Sequence, residues 1–372
     1  LTGRTEQLSG KAFGATMFMF LVGSSLTIPL AAVAVQDAWI SILAGMFVSL
    51  GFAVVYTRLC LRFPGKSLVQ IAETLLGPWA GRLIGLLYAM YSLHLGALVL
   101  RIFMDFITDV ALPKTPPVFI ELMMMGVVLW AVYAGIEVIG RCAMIILVLV
   151  LSEVALSVLL MSKDFQFANL LPVLDKGWSP VVEGAVEMIG FPFGETVLFA
   201  MIIPHLNHVG KATKTVMLTL GAGALLLLIV NVRNLLILGS LSSRMIYASY
   251  TAYQYISISD FLDRVEPLSI ITLMLGGFVK LCVCLYVSSR SLADLIRPVQ
   301  YRPLLVPIAL LMVELSRIVY ESGTESVQFS LWVWPWYSLP FQLLIPLALL
   351  IVAILWGKKE QAGIMPTRGG AS

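Results

Sequence analysis

Gly23-Ser-Ser-Leu-Thr-Ile-Pro29 interrupts an apolar run from Lys11 to Val35, and Gly190-Phe-Pro-Phe-Gly194 interrupts another from Pro180 to Ile203. Glycine and proline weaken a helix, and a backbone group freed in lipid costs several kcal/mol. Such breaks persist in a bilayer only where protein or a cavity satisfies them. Two breaks in matching positions of two halves point to a ligand site near the bilayer midplane.

Around these breaks the chain reads as ten apolar spans: 11–35, 38–61, 80–104, 117–136, 142–161, 180–203, 214–239, 267–289, 303–320 and 331–356. Each approaches the roughly 20 residues that a crossing needs. Of the 372 residues, 59% are hydrophobic and 12% charged, half the charge of a typical soluble domain. The expected fold is therefore an all-α polytopic membrane protein. Five spans per half turn the second half over, giving a 5+5 inverted repeat of the LeuT-like type with helices 1 and 6 broken. The repeats are expected at 11–162 and 180–356, within a single membrane domain of 1–357 followed by a tail at 358–372. The first span leads directly into a second and shows no dominant cleavage site, so it reads as a span and not as a cleavable signal.

Basic residues set the orientation. Arg58, Arg62, Lys66, Arg141, Lys211, Lys214, Arg290, Arg297, Lys358 and Lys359 fall on one side, and Asp105, Asp109, Asp164, Asp175, Asp260 and Asp263 on the other. The positive-inside rule then places both termini in the cytoplasm. Lys114 and Lys176 are expected outside. The net charge of +3 is sorted by side and forms no patch for nucleic acid.

Each break should expose helix-end groups: N–H groups near Leu26 and Glu195, carbonyls near Val22 and Gly190. That arrangement suits a small zwitterion. Gly23, Ser24 and Ser25 keep one wall small, for a ligand or for a kinked packing helix, and Phe191 and Phe193 flank Pro192 as gates or as core packing, beside Gly194. Two readings stand for Glu195: a carboxylate satisfied by its own helix end, or one that meets a ligand amine or Lys280. Lys280, in the middle of span eight, is an intramembrane charge and so a functional candidate. It could reach the carbonyls freed near Val22 and stand in for a bound metal cation. A purely structural ion pair is the other reading. Tyr88, Tyr91, His94, Arg101 and Asp105 share one face of span three, which must turn inward; Tyr91 and His94 sit deepest and are candidate cavity residues.

Two connections look structured. Ser67 to Gly77 reads as a short amphipathic helix closed by glycine. Tyr247 to Phe261 reads either as an interfacial tyrosine belt or as a lid. The four cysteines, Cys60, Cys142, Cys282 and Cys284, lack metal or redox spacing, and the three histidines, His94, His205 and His208, make no metal set. No nucleophile elbow or phosphate loop is present, so neither enzyme activity nor a cofactor is expected.

Further short stretches are Asp37-Ala-Trp-Ile-Ser41, Arg62-Phe-Pro64, Thr115-Pro116, Gly135-Ile-Glu-Val-Ile-Gly-Arg141, Leu171-Pro-Val-Leu174 and Gly277-Phe-Val-Lys280. With Gly23 to Pro29, their order and spacing over about 1–360 resemble the B subunits of bacterial spore germinant receptors, the endospore germination permeases of the amino acid–polyamine–organocation superfamily. The resemblance implies a germinant-sensing membrane protein with its site beside spans one and six. It implies a small-molecule germinant (an amino acid, sugar or nucleoside), membrane lipid around the spans, and partner A and C subunits in the inner spore membrane. A proton-coupled amino acid symporter is the alternative. The superfamily often carries Gly-Ser-Gly at the first break, where this chain has Gly23-Ser24-Ser25.

Overall fold

The computed structural model describes residues 6–26, 28–254, 266–296 and 300–357. The expected tail at 358–372, the lid stretch beyond Gln254, and Arg297, Lys358, Lys359, Asp260 and Asp263 lie outside them.

The described residues are almost wholly helical. In chain order they form α1 (Gly10–Val22), α2 (Ala38–Arg62), α3 (Leu68–Leu76), α4 (Pro78–Val110), α5 (Pro117–Ala134), α6 (Ile136–Met161) and α7 (Ser179–Met188). The remaining helices are α8 (Ala212–Leu238), α9 (Ala248–Gln254), α10 (Glu266–Leu295), α11 (Leu305–Ile318), α12 (Gly323–Gln328), α13 (Trp334–Leu339) and α14 (Ile345–Leu355). Among the described residues, eight helical stretches are long and apolar enough to cross a membrane. The other two expected spans, 11–35 and 303–320, have their α-helical parts at Gly10–Val22 and Leu305–Ile318.

Burial sorts the helices by environment. α10 is buried without interruption from Val279 to Ser289, and α1 from Ala15 to Val22. A helix apolar all round belongs in the interior. α10 runs along α4 and also packs on α1, α5 and α6. By contrast, α6 exposes Ile145, Val148 and Leu149, and α14 exposes Ile351, Ile354 and Leu355. In a chain of this hydropathy those faces meet lipid.

Local chemistry explains the ends. Ser67 caps α3 with a capping box to Gln70, and Gly77 closes it at φ 87°, a left-handed value that glycine takes without strain. Ser67 also donates to Asp294 at the end of α10, 2.7 Å away, which ties this short helix to the bundle. Asp37 accepts the Leu174 N–H with both carboxylate oxygens, at 3.0 and 3.1 Å. Two of the short stretches that are distant in sequence thus meet.

Both breaks are present, and they differ from one another. α1 stops at Val22, as expected, and the chain tightens to a 3₁₀ turn over Ser24–Leu26. Among the described residues of 26–35, the expected second half-helix is absent as an α-helix. The chain turns at Leu30–Ala31 and continues as a 3₁₀ segment, with Val35 outside helical angles. Ala31 and Val35 carry positive φ, and Pro29 bars an α-helix from running through. In span six, α7 ends at Met188 and a wide turn covers Ile189–Phe193, where Phe191 is extended at φ −141° and ψ 122°. A 3₁₀ helix then runs Gly194–Met201.

Candidate functional site

Lys280 lies at the centre of α10 and is fully buried. Its ammonium donates to Glu195 Oε2 at 2.6 Å and to Ser24 Oγ at 2.8 Å. It also sits over the rings of Phe191, at 4.7 Å, and Phe20, at 5.1 Å. One cation therefore touches both breaks. This corrects the expectation that Lys280 would be held by carbonyls freed near Val22: side chains take its ammonium, and two of the carbonyls there have other donors. Gly23 N–H donates to Met19 O, and Ser25 Oγ donates to Leu21 O at 2.7 Å. Glu195 likewise turns to Lys280 rather than to its own helix end. The open zwitterion slot expected from bare helix ends is filled by this pair.

The approach of α10 to the first break depends on missing side chains. A Cβ on Gly23 would lie 2.5 Å from Gly276 O, and one on Gly276 would lie 2.7 Å from Gly23 Cα. Only two glycines let these backbones meet, and their contact brings Ser24 within reach of Lys280 one turn further along α10.

A second layer comes from the last span, which sequence reasoning left out. There the helix opens twice: the Trp334 N–H reaches back to Phe329 O, and the Ile345 N–H to Pro340 O, five residues each. Phe341 O loses its usual donor, and its next candidate, Pro346, has no N–H. The Tyr88 hydroxyl donates to that oxygen instead. Similarly the Gly194 N–H goes to Ile189 O, which leaves Gly190 O to accept Gln342 Nε2 at 2.7 Å. Gln342 Nε2 also donates to the Tyr91 hydroxyl at 3.1 Å. Gln342 and Trp334 are thus candidate site residues that the sequence reading missed. The signal was there: Gln342 is the only amide in an apolar stretch carrying Pro335, Pro340 and Pro346.

The remaining candidates divide. Tyr91 is fully buried and stacks between Trp334 and Phe341, with ring centroids at 5.5 and 4.7 Å. His94 is drawn elsewhere: it shares a hydrogen bond with the Tyr320 hydroxyl at 2.9 Å and packs among Phe329, Trp334 and Tyr337. Val22 and Phe193 are fully buried, and Phe193 O accepts the Thr196 hydroxyl. Gly194 faces Gln342 Oε1 so closely that any Cβ would collide with it. Trp334 approaches Glu195, short of a closed hydrogen bond, so Glu195 Oε1, Trp334 Nε1 and Gln342 Oε1 remain unpartnered buried atoms in one small region. Two cavities of about 20 Å³ each flank the first break, one beside Ser25 and Asn231 and one beside Glu153 and Arg233.

Arg233, unassigned from sequence, is held by Ser157 Oγ at 2.6 Å and Asn234 Oδ1 at 2.9 Å, above the Tyr253 ring. Arg101 binds Asp105 through Nε and donates to Tyr320 O, an anchor at the end of α4. At the opposite end, His205 bridges Glu6 O at 3.2 Å and the Tyr286 hydroxyl at 3.0 Å.

A family described as spore germination protein matches residues 7–322. Spore germination protein KB of Bacillus subtilis (strain 168) is 32% identical over 350 residues, covering 93% of this chain and 94% of that protein. The putative spore germination protein YfkT of the same organism is 23% identical, covering 94% and 96%. Among solved structures, a nucleobase-cation-symport-1 family transporter, closed with bromovinylhydantoin bound, superposes with TM-score 0.70 at 12% identity, over 88% of this chain and 75% of that one. MhsT in complex with L-phenylalanine gives 0.70 at 15% identity, over 96% and 91%. The fold is accordingly the LeuT-like one.

Proposed function

The chain belongs to the spore germination permease family, and from that premise we propose that it is the germinant-sensing subunit of a spore germination receptor. In this reading 1–357 form one ten-span domain in the inner spore membrane, with both termini cytoplasmic and with A and C subunits as partners. The ligand is a small nutrient, and an amino acid is the favoured class. Its place is the midplane region bounded by Val22, Gly23, Ser24, Ser25, Tyr91, Gly190, Phe191, Phe193, Gly194 and Glu195, with His94 one turn further along α4 and with Lys280 in the role of a metal cation.

The observation that carries the proposal is the Lys280 ammonium on Ser24 and Glu195, one partner in each break. Other buried ion pairs could be structural, but this one ties together the two segments whose helical bonds are interrupted. An amino acid presents the same two charges. Its ammonium can replace Lys280 on Glu195, and its carboxylate can take the released lysine. The breaks would then move relative to α10, and partner subunits could read that movement.

Titrating the purified protein with a panel of amino acids, with and without sodium, tests the reading. A ligand-dependent rise in thermal stability that does not need sodium is expected, and Lys280→Met should lose it. Strict sodium dependence would overturn the role given to Lys280. The symporter alternative also draws on the buried pair, since a carboxylate and an amine in contact can exchange a proton. A sensor binds without accumulation, whereas a symporter fills liposomes with solute under a proton gradient.

A further inference from the structure

We propose a second binding site, for an organic ammonium group, in the cleft between α7 and the last span. The cleft holds about 700 Å³ and begins beside the first turn of α7, at Trp178 and Ser179. Its walls are Trp178, Trp332, Trp336 and Pro335, and Glu183 and Glu187 face into it. That volume is within the range of small-molecule sites.

Glu187 is the reason to read the cleft as a site. Its residue is only 6% exposed, yet its Oε2 has no hydrogen-bond partner. A carboxylate oxygen buried in that way is costly. Glu183, one turn earlier on the same face, places a second carboxylate beside the first and raises that cost. Among the described residues, those lining the cleft include no lysine, arginine or histidine. Arg244 lines an adjoining cavity of about 350 Å³ that shares Glu187 and Trp332, and Glu187 Oε2 still lacks a partner. A cation in the cleft would supply the partner that Glu187 Oε2 lacks.

The walls select its kind. A hard metal ion wants several oxygen ligands, and tryptophan and proline supply none from their side chains. Indole faces attract ammonium groups and accept apolar substituents beside them. An interfacial tryptophan belt would account for Trp178, Trp332 and Trp336. It would not account for a buried, unpartnered carboxylate between them. The ammonium group could belong to a free amine or to a lipid headgroup, and either presents the same chemistry to Glu187.

The site is separate from the Lys280 pair but touches its frame. Pro335 walls the cleft, and a Cβ on Gly190 would lie 2.3 Å from Pro335 Cα, so the proline packs directly on the second break.

The test titrates the full chain in dodecyl maltoside with phenethylammonium chloride and, separately, with uncharged phenethyl alcohol, following tryptophan fluorescence. Saturable binding of the amine and at least tenfold weaker binding of the alcohol are expected. Glu187→Gln and Trp332→Leu should each weaken the amine by about tenfold; Glu183→Gln serves as the second carboxylate variant if Glu187→Gln does not fold. Repeating the titration in phosphatidylglycerol nanodiscs with and without phosphatidylethanolamine separates the sources. Weakening by the ethanolamine lipid assigns the site to a headgroup, and no weakening assigns it to free amines. Equal binding of amine and alcohol, or unchanged binding in the folded carboxylate and tryptophan variants, would overturn the proposal.

Discussion

Removing the charge of Lys280 should destabilise the protein far more than removing the whole pair. Lys280 Nζ and Glu195 Oε2 are 2.6 Å apart, and neither side chain is accessible to solvent. At that distance the gross attraction is roughly 6 kcal/mol for an effective dielectric constant of about 20. Desolvation of both ions offsets most of it, so the pair itself adds little net stability. Lys280→Met leaves Glu195 buried and alone, which costs about 3–5 kcal/mol. Glu195→Gln should cost less, because Lys280 keeps Ser24 Oγ and the rings of Phe20 and Phe191, each ring worth about 0.5–2 kcal/mol. The double variant removes attraction and desolvation together and should recover most of the loss, giving a coupling energy of at least about 3 kcal/mol. Unfolding of the four proteins in one detergent, followed by circular dichroism, measures the cycle. Single-variant effects that add to within about 0.5 kcal/mol would refute the coupling. A functional arm separates structure from sensing: the double variant should be stable and unresponsive to germinant. A normal response from it would return the pair to a purely structural role.

Gly23→Ala should force the first break and α10 apart by about 1 Å, since its Cβ would meet Gly276 O at 2.5 Å. An overpacking cost of about 1–3 kcal/mol is expected, with a larger loss of ligand-induced thermal shift than of stability; unchanged ligand response would count against close approach at this point. Gln342→Leu should cost about 1–3 kcal/mol by leaving Gly190 O unpaired, and hydrogen exchange should quicken at 189–195; no change there would show that the amide does not hold the break. His205 lies beyond the apolar run of span six, and its pKa is lowered, first by burial and then by Arg290, with Glu6 and Asp294 opposing. Its folded pKa is below the ordinary value of about 6.5, so its contribution is complete above that pH and is lost as pH falls through the folded value. Thermal stability should therefore fall on acidification, less steeply in His205→Gln, and parallel pH profiles would refute it. Single-cysteine labelling should reach positions 114 and 176 from outside and 211 and 359 from inside. Inside labelling at 114 would overturn the orientation.

Much of the frame was legible because its signals are local. Ser67 and Gly77 carry the start and stop of α3 within eleven residues of chain, and the structure has that helix. Gly190 to Gly194 cannot continue a helix through Pro192, and α7 stops just before it. The Tyr88–Asp105 face could be placed inward from spacing alone, and Tyr88, Tyr91 and Arg101 are buried. What the sequence left open is non-local. Whether Lys280 finds carbonyls or a carboxylate depends on which of three distant segments approaches first. Its partners are 256 and 85 residues away. The fate of residues 26–35 depended on Ala31 and Val35 taking positive φ, which no composition rule suggests for alanine or valine.

The same distinction explains how the breaks survive in an apolar interior. Each interruption frees carbonyls, and an unpaired one is too costly to leave. The first break solves this locally, with Ser25 on Leu21 O four residues back. The second cannot do so, because its own apolar side chains offer Gly190 O no donor. It borrows Gln342 from the last span, which is itself opened and needs Tyr88 for Phe341 O. Tyr88 and Tyr91 stand on α4, so the second break, the last span and α4 share one set of hydrogen bonds through Gln342. The first break meets the second through Lys280 and Glu195, and it also packs on α10 where Gly23 touches Gly276. Separating that pair would loosen the first break while its own bond from Ser25 to Leu21 O stays closed, whereas moving the second break must disturb Gln342 and the tyrosines. Under the proposed function the Lys280 contact is therefore the cheaper place for a ligand to act, and the last span, bonded to the second break through Gln342, is the element that would move with that break.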